Sequence, residues 1–350
     1  MANYSQSLQA SASERLLGIW KARYVAKVQT ISTTPINFRT YPLEFAASNT
    51  GRQKTLEKLS DKLIKDASHA AAARTKRIYL QHEYLKFNTT VDLSKFTLKT
   101  VPVLLQYYQQ QPPLIISSTQ EEFEAGMSPK TQFGISEIGS LADHLETCFS
   151  EFKAQHSASK DWLIQCFLTS QISITSASLL AVLDPVEQAM FKPYCDLLEE
   201  YVSIPWSRLC AAATQYNQAS RQYQLVERLL ENSSNISLTA YQKLSQQFSS
   251  YAINRGGLND LKIKRSALRD FDMFQVYLWL CLLQGNLDVI ENELVIFCDY
   301  VFKGMGIPWR MVTMGTRLLL EEILSRLTAD EKVAATQFLN GMMHAIEAVD

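Results

Sequence analysis

The chain has 350 residues, 47% of them hydrophobic, with only 12 Gly and 10 Pro; this excludes a disordered or collagenous chain and suffices for two or three modules. Lys and Arg number 34 against 35 Asp and Glu, yet residues 1–100 hold 16 basic and 7 acidic side chains, a net +9 that leaves −10 for the remainder. A basic first hundred residues can face an acidic partner or an anionic lipid surface.

The six cysteines (Cys148, Cys166, Cys195, Cys210, Cys281, Cys298) lie in apolar stretches without a CxxC pair, which predicts buried, reduced thiols rather than bridges or a zinc site. The start MANYSQSLQASASER has no basic region followed by an apolar one and predicts no signal peptide. The longest apolar run, 276–283, is too short to span a bilayer, so any membrane contact is peripheral.

Leu16, Leu17, Trp20, Tyr24 and Val28 recur at helical spacing and predict an amphipathic helix over 14–29. Its basic face (Lys21, Arg23, Lys27) suits a solvated helix packed on its own domain, or a membrane surface. A longer helix is predicted over 52–87, with an Ala-rich middle suited to close packing. From Asn88 the mixture of β-branched residues and three prolines fits a short strand or two, or an irregular connector. Residues 117–133, rich in Ser, Glu, Gly and Pro, mark a boundary.

Beyond Gly134 the punctuation is helical, with patterns over 136–154, 161–183, 185–202, 207–230, 238–251, 258–284, 289–302, 309–327 and 329–349. Thr328 with Glu331 forms a capping box, and Gly304, Gly306 and Pro308 mark a stop and restart. The run MFQVYLWLCLL is apolar nearly all round and predicts the buried centre of its domain. The expected organisation is a basic N-terminal region over 1–120, a helical segment over 133–215 and a helical domain over 216–350.

Part of this pattern is stated twice. Leu183-Asp184, Glu187, Cys195-Asp196 and Ile204-Pro205-Trp206 recur as Leu287-Asp288, Glu291, Cys298-Asp299 and Ile307-Pro308-Trp309, at an offset of 104 that slips to 103. The order and spacing point to a diverged duplication.

The second copy carries a resemblance. The run ALRDFDMFQVYLWLCLLQGNLDVIENELVIFCDYVFKGMGIPWRMVTMGTRLLLEEIL, from Ala267 to Leu324, resembles the C-terminal half of phycobiliproteins, the globin-like light-harvesting subunits of phycobilisomes. The family's Cys-x-Arg-Asp motif is matched at Arg269-Asp270, its following turn at Gln284-Gly285-Asn286-Leu287-Asp288, and its restart at Met305-Gly306-Ile307-Pro308. The Cys that bonds the bilin falls on Ala267, so covalent attachment there has no nucleophile. In the first copy Lys160-Asp161 take the place of the Arg-Asp pair, and Ala158 that of the Cys.

The resemblance implies a mainly α fold: a globin-like, phycobiliprotein-like C-terminal domain preceded by a diverged partial repeat and a mixed N-terminal region. It implies a non-enzymatic protein without covalent chromophore that works through phycobilisome or photosystem subunits in assembly, stability or regulation. The expected location is cytoplasmic, including the cytoplasmic face of the thylakoid, reached through the basic N-terminal region. No cofactor is expected. The alternative is a non-covalent bilin held by Arg269, Asp270, Tyr277 and Trp309, where a guanidinium would pair a propionate and a carboxylate would accept pyrrole N–H groups. Large side chains at Phe274, Tyr277 and Trp279 favour the first reading.

No GxSxG, HExxH, P-loop or GxGxxG is present, and Glu199-Glu200 and Glu321-Glu322 read as solvated pairs rather than acid–base machinery. His144 is the one histidine near the first copy's expected pocket, more simply a packing residue. The basic excess comes without a nucleic-acid-binding module, so no nucleic-acid partner is expected.

Overall fold

The computed structural model describes residues 11–24, 26–27, 43–79, 87–117, 131–155, 163–249, 252–253, 256–258 and 260–349. The chain is mainly helical and divides into two compact units, one of Lys21–Ser203 and one of Met1–Trp20 with Ile204–Asp350.

The first unit contains α2 (Leu43–Ala47), α3 (Asn49–Lys58), α4 (Asp61–Ile78), α5 (Phe87–Gln110), α6 (Ile138–Gln155), α7 (Leu163–Leu180) and α8 (Pro185–Tyr201). Strands β1 (Ala26–Lys27), β2 (Leu114–Ser117) and β3 (Thr131–Gly134) form a small antiparallel sheet in the order β1-β3-β2. The helix expected over 52–87 is broken at Ser60, which is extended and accepts the Leu63 N–H with its side chain, a cap that opens α4; residues 80–86 lie outside the described ones.

Where the sequence suggested strand or connector after Asn88, the structure has a 24-residue helix, α5, followed only then by β2. Leu93, Phe96, Val101, Leu104 and Tyr108 fall on one buried face, and the Thr97 and Thr100 hydroxyls donate to the Leu93 and Phe96 carbonyls at 3.0 Å. The β-branched residues are thus absorbed by packing, and Pro102 sits on the exposed side. Arg52, 2% exposed, donates to the Tyr108 and Gln111 carbonyls and so closes the C-terminus of α5 with a cation.

The organisation differs from the expected boundaries at 120–133 and 215–216. Helices α4 and α5 bury their apolar faces against α7 and α6, so the two expected N-terminal modules share one core, which ends at Ser203.

The second unit holds α1 (Ala12–Ala22), α9 (Trp206–Ala213), α10 (Arg221–Glu231), α11 (Ser233–Gln247), a β4–β5 hairpin (Ala252–Ile253, Gly256–Gly257), α12 (Leu261–Gln284), a π-helical turn (Ile290–Leu294), α13 (Val295–Gly304), α14 (Trp309–Ser325) and α15 (Ala329–Glu347). The helix expected over 14–29 ends at Ala22. Its residues Ala12, Leu16 and Trp20 are buried; Tyr223 donates to the Ala12 carbonyl at 3.0 Å, and Trp20 stacks on Trp206 at 6.0 Å. The helix expected over 207–230 is two helices, α9 and α10, separated by a turn.

Every residue of α12 from Phe271 to Leu283 is buried, and α9, α10, α11, α14 and α15 pack around it, the buried centre expected of an all-round apolar helix. The Thr328–Glu331 capping box opens α15 as expected. Gly306 adopts φ 71° before Pro308, which caps α14.

The repeat is visible in the packing. On α7 the fully buried Gln171 donates from Nε2 to the Ser68 carbonyl (3.1 Å) and the Thr97 hydroxyl (3.0 Å). On α12 the fully buried Gln275 donates from Nε2 to the Ser233 carbonyl (3.2 Å) and the Ser237 hydroxyl (2.8 Å). The two glutamines keep the offset of 104, as do the buried Phe167 and Phe271.

Candidate functional site

The site predicted from the sequence lies at the point where α12 changes from half-buried, over Ser266–Asp270, to fully buried. Arg269 Nε and Asp270 Oδ1 are 4.0 Å apart, with side chains 19% and 28% exposed. Burial pushes the Asp270 carboxyl up to about 6, against the pull of the neighbouring Arg269 guanidinium. The pair therefore offers a guanidinium and a carboxylate that titrates near neutrality.

By helical spacing Asp270, Phe274, Tyr277 and Cys281 share one face of α12. Arg208, on α9, lies within electrostatic reach of Tyr277 and Cys281 and donates to Glu293 of the π-helical turn at 2.6 Å. Nothing in the sequence marked Arg208, because its partner is 85 positions away. Burial lifts the Cys281 thiol to about 12, leaving it inert as a nucleophile at neutral pH. A second face of α12 turns to α11: Ser237 donates to Asp272 at 2.6 Å, beside the Gln275 bonds, while Gln275 Oε1 and Trp279 Nε1 are buried without a hydrogen-bond partner among the described residues.

Of the four predicted site residues, Arg269 and Asp270 are adjacent and half-buried, and Tyr277 is buried further along α12. Trp309 is buried, and its indole donates to the Ile346 carbonyl at 2.9 Å, which ties the start of α14 to the end of α15. Phe274, Tyr277 and Trp279 are all buried and occupy the interior around α12.

In the first copy, Lys160-Asp161 and Ala158 lie outside the described residues. The offset of 104 carried by Gln171 and Gln275 sets Gln165-Cys166, not Lys160-Asp161, opposite Arg269-Asp270, so the first copy has no Arg-Asp pair there. His144 lies exposed on α6, its ring bonded to the Tyr107 hydroxyl and the Ser140 carbonyl, both at 2.9 Å.

In each of the two pairs read as solvated one member is engaged instead, while Glu321 is exposed. Glu322 is 8% exposed and accepts from Lys243 (2.9 Å) and Arg326 (2.8 Å). Glu200 is half-buried and accepts from Arg23 (3.2 Å) and Tyr24 (2.8 Å), which removes Arg23 from the basic face expected on the first helix; the Lys27 side chain lies outside the described residues. The five cysteines whose side chains are described, Cys148, Cys195, Cys210, Cys281 and Cys298, are buried thiols. No described helix is long and apolar enough to cross a membrane.

The second unit is a mainly helical domain wrapped around one buried aromatic helix, which carries an Arg-Asp pair in its third turn. Residues 203–346 match the family model of the phycobilisome proteins. The match takes in nearly all of the second unit's C-terminal part and begins well before the stretch legible as a resemblance, at the first Ile-Pro-Trp. A comparison with curated proteins finds no match.

Proposed function

We propose that this is a non-enzymatic, phycobiliprotein-like protein without covalent chromophore that acts by protein–protein interaction in the assembly, stability or regulation of a cyanobacterial photosynthetic complex, the phycobilisome or photosystem II. It works in the cytoplasm, including the cytoplasmic face of the thylakoid, and binds no nucleic acid. The observation that carries this reading is Ala267, which stands where the family has its attachment Cys, in the second turn of a helix whose aromatic side chains are already buried against protein. Without a nucleophile at that position, what the family resemblance leaves is helical surface for docking.

A second reading, a non-covalent bilin or other tetrapyrrole, is favoured by one feature: the half-buried Arg269 and Asp270 retain the pair that would hold a propionate and pyrrole N–H groups. An absorption spectrum of the protein purified from a bilin-producing host, with a zinc-stained denaturing gel beside it, separates the two. Colourless protein that co-purifies with phycobilisomes or photosystem II supports docking. A visible band that vanishes on denaturation, and is absent from Asp270→Ala, replaces it with the carrier reading.

A further inference from the structure

We propose that the exposed face of α4 is a docking strip for an acidic helical surface of a partner protein, a proposal that rests on the docking reading above and names where it happens. Helix α4 buries Ile64, Ala67, Ser68, Ala71, Ala72 and Thr75 against α5 and α7. The opposite side presents Lys62, Lys65, His69, Ala73 and the half-buried Lys76 in steps of three or four residues, with Arg74 and Arg77 alongside and two exposed acids, Asp61 and Asp66, on the same helix. From Lys62 to Lys76 the row is about 21 Å long at 1.5 Å per residue.

Among the described residues no ion pair engages Lys62, Lys65, Lys76 or Arg77, whereas carboxylates of the same unit are occupied: Glu151 by Lys99, Glu187 by Lys58, Asp196 by Lys192 and Glu200 by Arg23. Nor does a helix in this position need them for solvation. Helix α11 packs on α12 as α4 packs on α7, yet its exposed residues Ser234, Asn235, Gln242, Gln246 and Gln247 are neutral and its one cation, Lys243, is bound to Glu322.

The occupant follows from what lies between the charges. Ala70 and Ala73 are exposed at mid-helix, between Lys62 and Lys65 at one end and Lys76 and Arg77 at the other, with His69 and Arg74 exposed beside them. A partner helix can approach closely there and set carboxylates against both ends. The strip offers no exposed large aromatic or aliphatic side chain to enter a bilayer, as an interfacial helix would, and His69 is its one ring.

The test compares wild-type full-length protein with a variant carrying Lys62→Glu, Lys65→Glu, Lys76→Glu and Arg77→Glu, using immobilised phycobilisomes, immobilised photosystem II and phosphatidylglycerol vesicles as probes. Binding of wild type to one of the two complexes should weaken with salt, as screening shortens from about 10 Å at 0.1 M to about 3 Å at 1 M, and the variant should bind at least about tenfold more weakly with an unchanged melting temperature. Ala70→Gln with Ala73→Gln, which raises the strip without altering charge, should weaken binding several-fold and serves if the charge variant does not fold. Undiminished binding by both variants overturns the strip and leaves the docking function standing. Charge-dependent binding to vesicles alone overturns the protein occupant in favour of lipid. Wild type that binds neither complex overturns the strip and the docking function together.

Discussion

Gln171 and Gln275, 104 residues apart, do the same thing in two places: each is fully buried on the central helix of its unit and donates its amide to a serine carbonyl and a hydroxyl. In both, Oε1 is buried without a hydrogen-bond partner among the described residues. A buried amide used twice in one way is a stronger mark of duplication than the Ile-Pro-Trp restart, because it links sequence offset to packing.

If the two positions are equivalent, Gln171→Met and Gln275→Met should each destabilise the protein by about 1–3 kcal/mol, the cost of leaving a buried polar partner unmet. The losses should be similar and additive in urea melts, since the sites share no partner. A neutral effect at one site with a large loss at the other would contradict equivalence.

Asp270 carries a pH signature. Its carboxyl is pushed up to about 6, so the folded state holds the proton more tightly than the unfolded chain. Stability is therefore lost as pH rises through the interval up to about 6, and the ionised group is a burden at neutral pH. Asp270→Asn should stabilise the protein at pH 8 by about 1 kcal/mol, discounted for partial exposure, and change little at pH 4. Denaturation at both pH values decides it; a loss of stability at pH 8 would mean that the carboxylate has a structural partner.

Glu322 has the opposite sign. Burial pushes its carboxyl up, but hydrogen bonds from Lys243 and Arg326 overcome this and hold it below the ordinary glutamate range. Its contribution is present at neutral pH and disappears as pH falls through the lowered value. Glu322→Gln should cost about 1–3 kcal/mol at pH 7 and progressively less in acid. A cost independent of pH would point to packing rather than charge.

Two glycines should respond in opposite directions. A Cβ on Gly51 would overlap the Phe45 carbonyl oxygen, where α3 meets α2, so Gly51→Ala must displace backbone and should destabilise by about 1–3 kcal/mol. Among the described residues Gly18 of α1 has nothing within 4 Å of its Cβ position, and Gly18→Ala should stabilise by up to about 1 kcal/mol through helix propensity. Thermal melts of the two variants provide the check; a stabilising Gly51→Ala would show that α2 and α3 do not meet this closely.

What the sequence by itself determined is what short-range chemistry decides. The Thr328–Glu331 box, the Gly306–Pro308 restart and the all-round apolar core of α12 each depend on residues a few positions apart, and each is where the pattern put it. The Arg269-Asp270 pair and the missing Cys at Ala267 were legible for the same reason, and residues 203–346 match the family they resemble. The tertiary structure alone decided the rest. Helix α5 overrides its β-branched residues because α6 and α7 bury its face, and Glu322 and Glu200 leave the solvated class because their cations come from elements far along the chain. Residues 12–20 join the C-terminal unit because Trp20 finds Trp206 and Ala12 finds Tyr223 across some two hundred positions. Local propensity costs or returns a fraction of a kcal/mol per residue, whereas burying one large side chain returns about 1.5–3 kcal/mol, so long-range packing wins wherever the two disagree.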